Sequence, residues 1–112
     1  MMNQETNYTK EGKSVATVAY ITAVGAIVAV FMNMDTKNSF ASFHTRQAIG
    51  IHLLFFLLAP IVTGFNSLII SVSFWIFFFT LWLYGFLGAM QGKKNLVPVI
   101  GKYFQTWFNK LA

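Results

Sequence analysis

Polar positions dominate the chain as far as Ser14, after which apolar residues run almost unbroken from residue 15 to 32. A helix of that length covers roughly 27 Å, close to the thickness of a bilayer's hydrocarbon core. A polar stretch holding Asp35, Lys37 and Arg46 follows, and then no lysine, arginine, aspartate or glutamate occurs between Gln47 and Gly92. As a helix, this second gap is roughly twice as long as one crossing needs. It must double back, and Pro60, Gly64, Asn66 and Ser67 gather the turn-forming residues where it can. Helices are expected throughout, because an open strand leaves backbone donors and acceptors unpaired in lipid and three short strands cannot close a barrel.

The C-terminal stretch has a different pattern. Ile100, Tyr103, Phe104, Trp107, Phe108 and Leu111 recur at helical spacing after Val97, while Lys102, Gln105, Thr106, Asn109 and Lys110 take the other face. Pro98 suits the first turn of such a helix. It is too short to span, and its aromatic stripe fits the headgroup boundary, with Tyr103, Phe104, Trp107 and Phe108 as the interfacial contacts. Docking on a partner protein is the alternative, and the sequence does not separate the two.

The pattern therefore predicts an all-α membrane protein: three transmembrane helices plus a C-terminal amphipathic interfacial helix. A polar N-terminal segment over 1–14 precedes a single membrane domain over 15–112, with spans near 15–32, 48–63 and 68–90 and the interfacial helix near 98–111. A signal peptide is the competing reading of the first run, but Glu5 and Glu11 flank it and its apolar core is long, which favours a retained helix.

Composition agrees: 56% of the 112 residues are hydrophobic, 10% are charged and 13 are phenylalanine, too little polar surface to cover a soluble globule. Cysteine is absent, which excludes disulfides, thiolate metal sites and a cysteine nucleophile. The net charge of +5 comes from lysines scattered at the edges of apolar runs rather than along one helix face, so no nucleic-acid partner is expected. Lys37 and Arg46 in the first loop, with Lys93, Lys94, Lys102 and Lys110 in the tail, place those segments in the cytoplasm. Three crossings then leave the N-terminus outside, against the mild opposition of Lys10 and Lys13.

Small residues suggest how the helices meet. Ala16, Ala19, Ala23 and Ala26 form a seam on the first segment, and Gly85 with Ala89, and Gly88 with Gly92, repeat four apart on the third. Packing within the bundle is one use of such faces, and a homo-oligomer interface is the other. His52 is the one ionisable residue inside a span, at the depth of Thr80 and Tyr84 if the hairpin turns at Asn66, so these three are expected to make an intramembrane polar contact. No intramembrane carboxylate completes a proton relay, which favours a neutral histidine tying two helices together. His44 and His52 lie eight residues apart, about 12 Å along a helix, with no third ligand nearby, so neither a metal nor another cofactor is expected. The sequence also lacks a phosphate-binding glycine loop, a paired carboxylate and a nucleotide fingerprint, and no enzyme activity is expected.

At the start of the second span the chain reads Phe-Ala-Ser-Phe-His-Thr-Arg-Gln-Ala, residues 40–48. With the charge-poor hairpin and aromatic tail that follow, it resembles the short bacterial relatives of the twenty-kilodalton Tic component, a membrane subunit of the chloroplast inner-envelope import translocon. Phe43, His44, Arg46, Gln47 and Ala48 are the matching positions, and Phe40 lies three residues before them. The resemblance implies a helical protein of the bacterial cytoplasmic (inner) membrane, although four membrane helices are expected in the plastid members against three here. It also implies a role beside a protein translocon, with Phe40, Phe43, His44, Arg46 and Gln47 as the candidate interaction motif. The expected function is a non-enzymatic accessory or scaffold subunit for protein translocation or membrane-protein assembly. Its partners would be the lipid bilayer and a membrane-protein complex. The alternative is a homo-oligomeric channel or small-solute carrier, in which His52 or Thr80 faces a wet cavity.

Overall fold

The computed structural model describes residues 2–98 and 100–111, with side chains from residue 12 onward. Five helices follow one another: α1 (Met2–Ile21), α2 (Ala23–Met32), α3 (Ser39–Gly64), α4 (Leu68–Gln91) and α5 (Gly101–Trp107). No strand occurs among the described residues.

The first apolar run is broken at Thr22, whose backbone is extended at φ −150° and ψ 172°. Its hydroxyl accepts the Gly25 N–H at 3.0 Å, so Thr22 caps a new helix instead of continuing the old one. Gly25 lies so close to the Val18 carbonyl that a Cβ there would collide with it. A straight helix would hold residues 12 and 33 about 31 Å apart. Instead both meet Asn38: a Cβ on Gly12 would stand 2.5 Å from its side-chain oxygen, and Asn33 Oδ1 accepts its N–H at 2.9 Å. α2 therefore folds back along α1, and the single span expected over 15–32 is replaced by a short helical hairpin. The Asn33 amide also donates to Ser42 Oγ at 2.8 Å, fixing the reversed chain to the start of α3.

α3 begins under an Asn38 cap, the side chain accepting the Ala41 N–H at 3.0 Å. It continues through Pro60 to Gly64, so Phe40 and Phe43 belong to the first turns of the same long helix. Pro60 was expected to open the turn, but the helix absorbs it there at the loss of one backbone hydrogen bond. The reversal falls at residues 65–67, where Asn66 is left-handed at φ 50° and Ser67 Oγ accepts the Ile70 N–H at 3.3 Å. The expected charge-free hairpin is present, and α3 and α4 are each long and apolar enough to cross a membrane.

Burial divides the molecule in two. The buried residues of α3 lie between Phe40 and Ile51 and those of α4 between Phe78 and Ala89. With Ala16, Ala19, Tyr20, Ala26 and Ala29 from the folded-back hairpin they form one core. Ala16 and Ala26 thus both face inward, but from two helices rather than along one seam. Beyond this body the rest of α3 and α4 projects as a two-helix arm with Phe56, Leu57, Ile61, Leu68, Ile69 and Trp75 uncovered, which accounts for the long shape, 54 × 22 × 21 Å.

The tail packs on the body. Its helix covers Gly101–Trp107, shorter than 98–111. Phe104 seats its ring on Gly50, where a Cβ would overlap it, and Ile100 and Phe108 pack against the same core. Tyr103, Trp107 and Leu111 point outward, so the stripe read as one apolar face is shared between the body and the surroundings.

Cysteine is absent from the chain, so spin labels at Ser14→Cys and Met34→Cys would be unique. A straight helix separates those positions by about 30 Å. The fold-back at Thr22 predicts a much shorter distance by double electron–electron resonance in detergent micelles, and a value near the straight-helix length would refute it.

Candidate functional site

Phe40, His44, Gln47 and Ile51 recur at four, three and four residues, so α3 turns all of them to one face. That face is inward, where His44 and Gln47 have no solvent exposure. Three of the five motif residues, Phe40, His44 and Gln47, are therefore inside the protein, while Phe43 and Arg46 remain half-buried.

The two buried polar side chains meet Tyr20, on the last turn of α1. Lys93 offers a carbonyl oxygen 2.7 Å from His44 Nε2. A carbonyl only accepts, so Nε2 carries the proton, and Nδ1 of the neutral ring must accept. The Tyr20 hydroxyl supplies that donor at 2.8 Å and in turn accepts from Gln47 Nε2 at 2.9 Å. The second Gln47 amide hydrogen goes to the Asn95 carbonyl at 2.9 Å, and Gln47 Oε1 accepts the Val97 N–H at 2.9 Å. Every bond in the chain has one possible direction, and no donor or acceptor is duplicated. Trp82 Nε1 extends the network by donating to the Tyr20 carbonyl at 2.6 Å, which satisfies a C-terminal acceptor of α1 that has no helical partner.

Two glycines make room for this arrangement. A Cβ at Gly85 would stand 2.7 Å from the Tyr20 ring, and one at Gly88 would stand 2.9 Å from the Asn95 amide. At Gly92 the left-handed φ of 75° ends α4 and directs the chain across α3 toward Gln47. The sequence had marked Gly85 and Gly88 as contact faces; their contacts are an aromatic ring and a loop rather than another helix backbone.

Electrostatically the network is a set of neutral dipoles. His44 is ringed edge-on by Tyr20, Phe40 and Phe43 at centroid distances of 5.5, 4.9 and 5.0 Å, and protonating it would put a hydrogen on Nδ1, pointed at the Tyr20 hydroxyl hydrogen. Both ring nitrogens are engaged, so His44 has no lone pair left for a metal or for base chemistry. The site's chemical capacity is structural: it locks α1, α3, α4 and the 93–97 loop into one unit.

The intramembrane contact expected of His52, Thr80 and Tyr84 does not form. His52 Nδ1 donates to the Ala48 carbonyl of its own helix at 2.9 Å, and the Thr80 hydroxyl donates to Ile76 at 2.7 Å. Tyr84 is 42% exposed. For His52 and Thr80 the acceptor is a carbonyl one helical turn back, which outcompetes a cross-helix partner. His52 instead lines an apolar recess of about 210 Å³ with Phe55, Trp75, Phe78 and Trp82.

On the outer side of α3, Arg46 faces the tail. Its Nη1 and Nη2 reach Gln105 Oε1 and the Asn109 carbonyl at 3.5 and 3.4 Å, long for hydrogen bonds, while Nε is buried without a partner. Gln105 holds the tail more firmly by donating to the Phe43 carbonyl at 2.7 Å. Between α2, the start of α3 and the tail lies an open groove of about 630 Å³.

Sequence reasoning missed Tyr20, Trp82 and Asn95. Tyr20 and Trp82 read as ordinary aromatics of apolar runs, and the groups of the 93–97 loop that bind His44 and Gln47 are backbone, which composition does not reveal. Comparison with protein-family models, with curated proteins and with solved structures gives no match.

Replacing Gln47 with leucine strands Asn95 O, the Val97 N–H and part of the Tyr20 hydroxyl's bonding. Each buried orphan costs about 1–3 kcal/mol, so Gln47→Leu is expected to lower stability by roughly 3 kcal/mol or more, whereas Tyr20→Phe is expected to cost about 1–2 kcal/mol. Reversible unfolding in mixed micelles measures both; a neutral Gln47→Leu would show that the amide does not hold the loop.

Proposed function

We propose that this protein is a non-enzymatic integral membrane scaffold subunit, working beside a protein-translocation or membrane-protein-assembly complex in the bacterial cytoplasmic membrane. The observation that carries this reading is the division of the chain into a locked body and a bare apolar arm. Only 22% and 17% of the most apolar stretches of α3 and α4 are buried within the chain, unlike the core helices of a soluble domain. Lipid and the helices of a partner are the surroundings suited to such an arm. The body supports the scaffold reading because His44 and Gln47, its best candidates for chemistry, have their hydrogen-bonding capacity fully used. The link to translocation rests on the Phe-His-Thr-Arg-Gln-Ala resemblance at residues 43–48. His52 and Thr80, on which a conducting path would depend, bond to their own helices, which weighs against the channel reading.

In this proposal α3 and α4 cross the bilayer while the α1–α2 hairpin enters the body and returns. Two crossings bring both termini to one side, in place of an external N-terminus. Lys10 and Lys13 then join Lys37, Arg46, Lys93 and Lys94 in the cytoplasm, as the preference of cytoplasmic loops for basic residues favours.

Single cysteines at Ser14, Asn66 and Asn109 test the topology in oriented membrane vesicles. A membrane-impermeant maleimide is expected to label positions 14 and 109 from one face and position 66 from the other; labelling of 14 and 66 from the same face would restore a first crossing. Photo-crosslinkers at Phe56 on the arm and Trp107 on the tail test the scaffold role. A defined membrane-protein adduct is expected in native membranes, and adducts with lipid alone would overturn the proposal.

A further inference from the structure

The open groove beside Arg46 carries a second role. Arg46, Lys94 and Lys110 line it, and none of its described lining residues is acidic. These cations come from α3, the loop after α4 and the tail, so the fold and not a run of sequence assembles them. Like charges gathered at one concave surface repel one another unless an anion fills it. Arg46 is the most specific element. Its two terminal nitrogens hold only long contacts to the tail, and its buried Nε has no partner. A planar guanidinium in this condition retains the parallel pair of donors that matches two phosphate oxygens.

The other wall is apolar, with Val30 and Phe43 facing the groove. Inorganic phosphate has no use for that wall, but the glycerol and upper acyl carbons of a phospholipid do. The groove's position completes the match, since its lining follows the first two turns of α3, just before the charge-free stretch that begins at Gln47. We infer that this groove is a binding site for the phosphodiester headgroup of an acidic phospholipid, with the Arg46 guanidinium paired to the phosphate and Lys94 and Lys110 supplying the surrounding positive potential. Basic pockets between membrane helices on the cytoplasmic side recognise acidic headgroups in this manner. The site is separate from the Tyr20–His44–Gln47 network, and it does not depend on the identity of any protein partner.

The test uses the full chain in a neutral detergent, with short-chain phosphatidylglycerol as the probe, phosphatidylcholine of the same chain length as the neutral control, and inorganic phosphate as the free-anion control. Thermal shift titrations read the affinity. Saturable stabilisation by phosphatidylglycerol is expected, at least tenfold tighter than by either control and weakening as salt is raised. Arg46→Gln is expected to weaken it at least tenfold and Lys94→Gln several-fold. Lys102 lies outside the groove beside the Tyr103 ring, 5.2 Å from its centroid, so Lys102→Gln removes the same charge and is expected to leave the affinity unchanged. Arg46→Lys keeps the charge without the paired donors and should fall between wild type and Arg46→Gln. Should Arg46→Gln fail to fold, the exposed Lys94→Gln decides: unchanged affinity there overturns the inference. Equal losses in Lys94→Gln and Lys102→Gln would reduce the effect to net charge, equal response to phosphatidylcholine would mark a neutral lipid contact, and equal affinity for inorganic phosphate would mark a free-anion site. Each of these outcomes rejects the acidic-lipid site while leaving the scaffold reading to its own crosslinking test.

Discussion

The Gln47 amide is the constraint on which the body depends. An apolar core tolerates a polar group only when its donors and acceptors are matched, and Gln47 has two donors and an acceptor to satisfy. The 93–97 loop offers a carbonyl at Asn95 and an N–H at Val97 in the spacing that a primary amide can bridge, so the side chain substitutes for a neighbouring strand and fixes an otherwise irregular segment. The remaining amide hydrogen meets the Tyr20 hydroxyl, which has to turn its own proton elsewhere, and His44 is there to take it. One side chain on α3 thereby sets the direction of every bond from α1 to the loop after α4. The tail inherits its position from the same arrangement: once Val97 is bonded, the chain can bring Phe104 over Gly50, one turn beyond Gln47.

That matching also explains why the body is small and the arm is bare. Polar locking works where small residues let the elements approach, and these lie at one end of the molecule: Ala16 and Ala19 on α1, Ala26 and Ala29 on α2, and Gly85, Gly88 and Ala89 on α4. Farther along α3 and α4 the residues are large and aromatic, Phe55 stacking on Phe74 with ring centroids 5.3 Å apart and Phe78 packing against both. These contacts join the two helices to each other and leave their outer faces uncovered.

Much of the architecture is legible from hydropathy because length and charge avoidance are linear properties. The charge-free stretch after Gln47 could only be a hairpin, and Asn66 with Ser67 marks its turn. The break at Thr22 is not legible in that way, since a helix that reverses inside an apolar run has the same composition as one that continues. The available signal is local: a threonine followed three residues later by glycine can cap a new helix, and Thr22 with Gly25 does so. The inward face of the Phe-His-x-Arg-Gln motif was likewise present in the spacing of Phe40, His44, Gln47 and Ile51, but polarity drew attention to the surface. His52 shows the converse error. Depth along a hairpin identified the stretch opposite it, yet the imidazole bonds the carbonyl four residues back on its own helix.

The fold-back has one electrostatic consequence that a first crossing would not produce. By returning residue 33 to the level of Gly12, it adds Lys13 to the end of the body that holds Lys37, Arg46, Lys93 and Lys94, while the turn at the tip of the arm has no charge. In the proposed two-crossing arrangement this polarity favours one orientation in a membrane with an anionic cytoplasmic face. The same clustering would be destabilising in isolation, because concentrated like charges repel. In the proposed acidic-lipid site, the bound headgroup offsets that repulsion at the groove between α2, α3 and the tail.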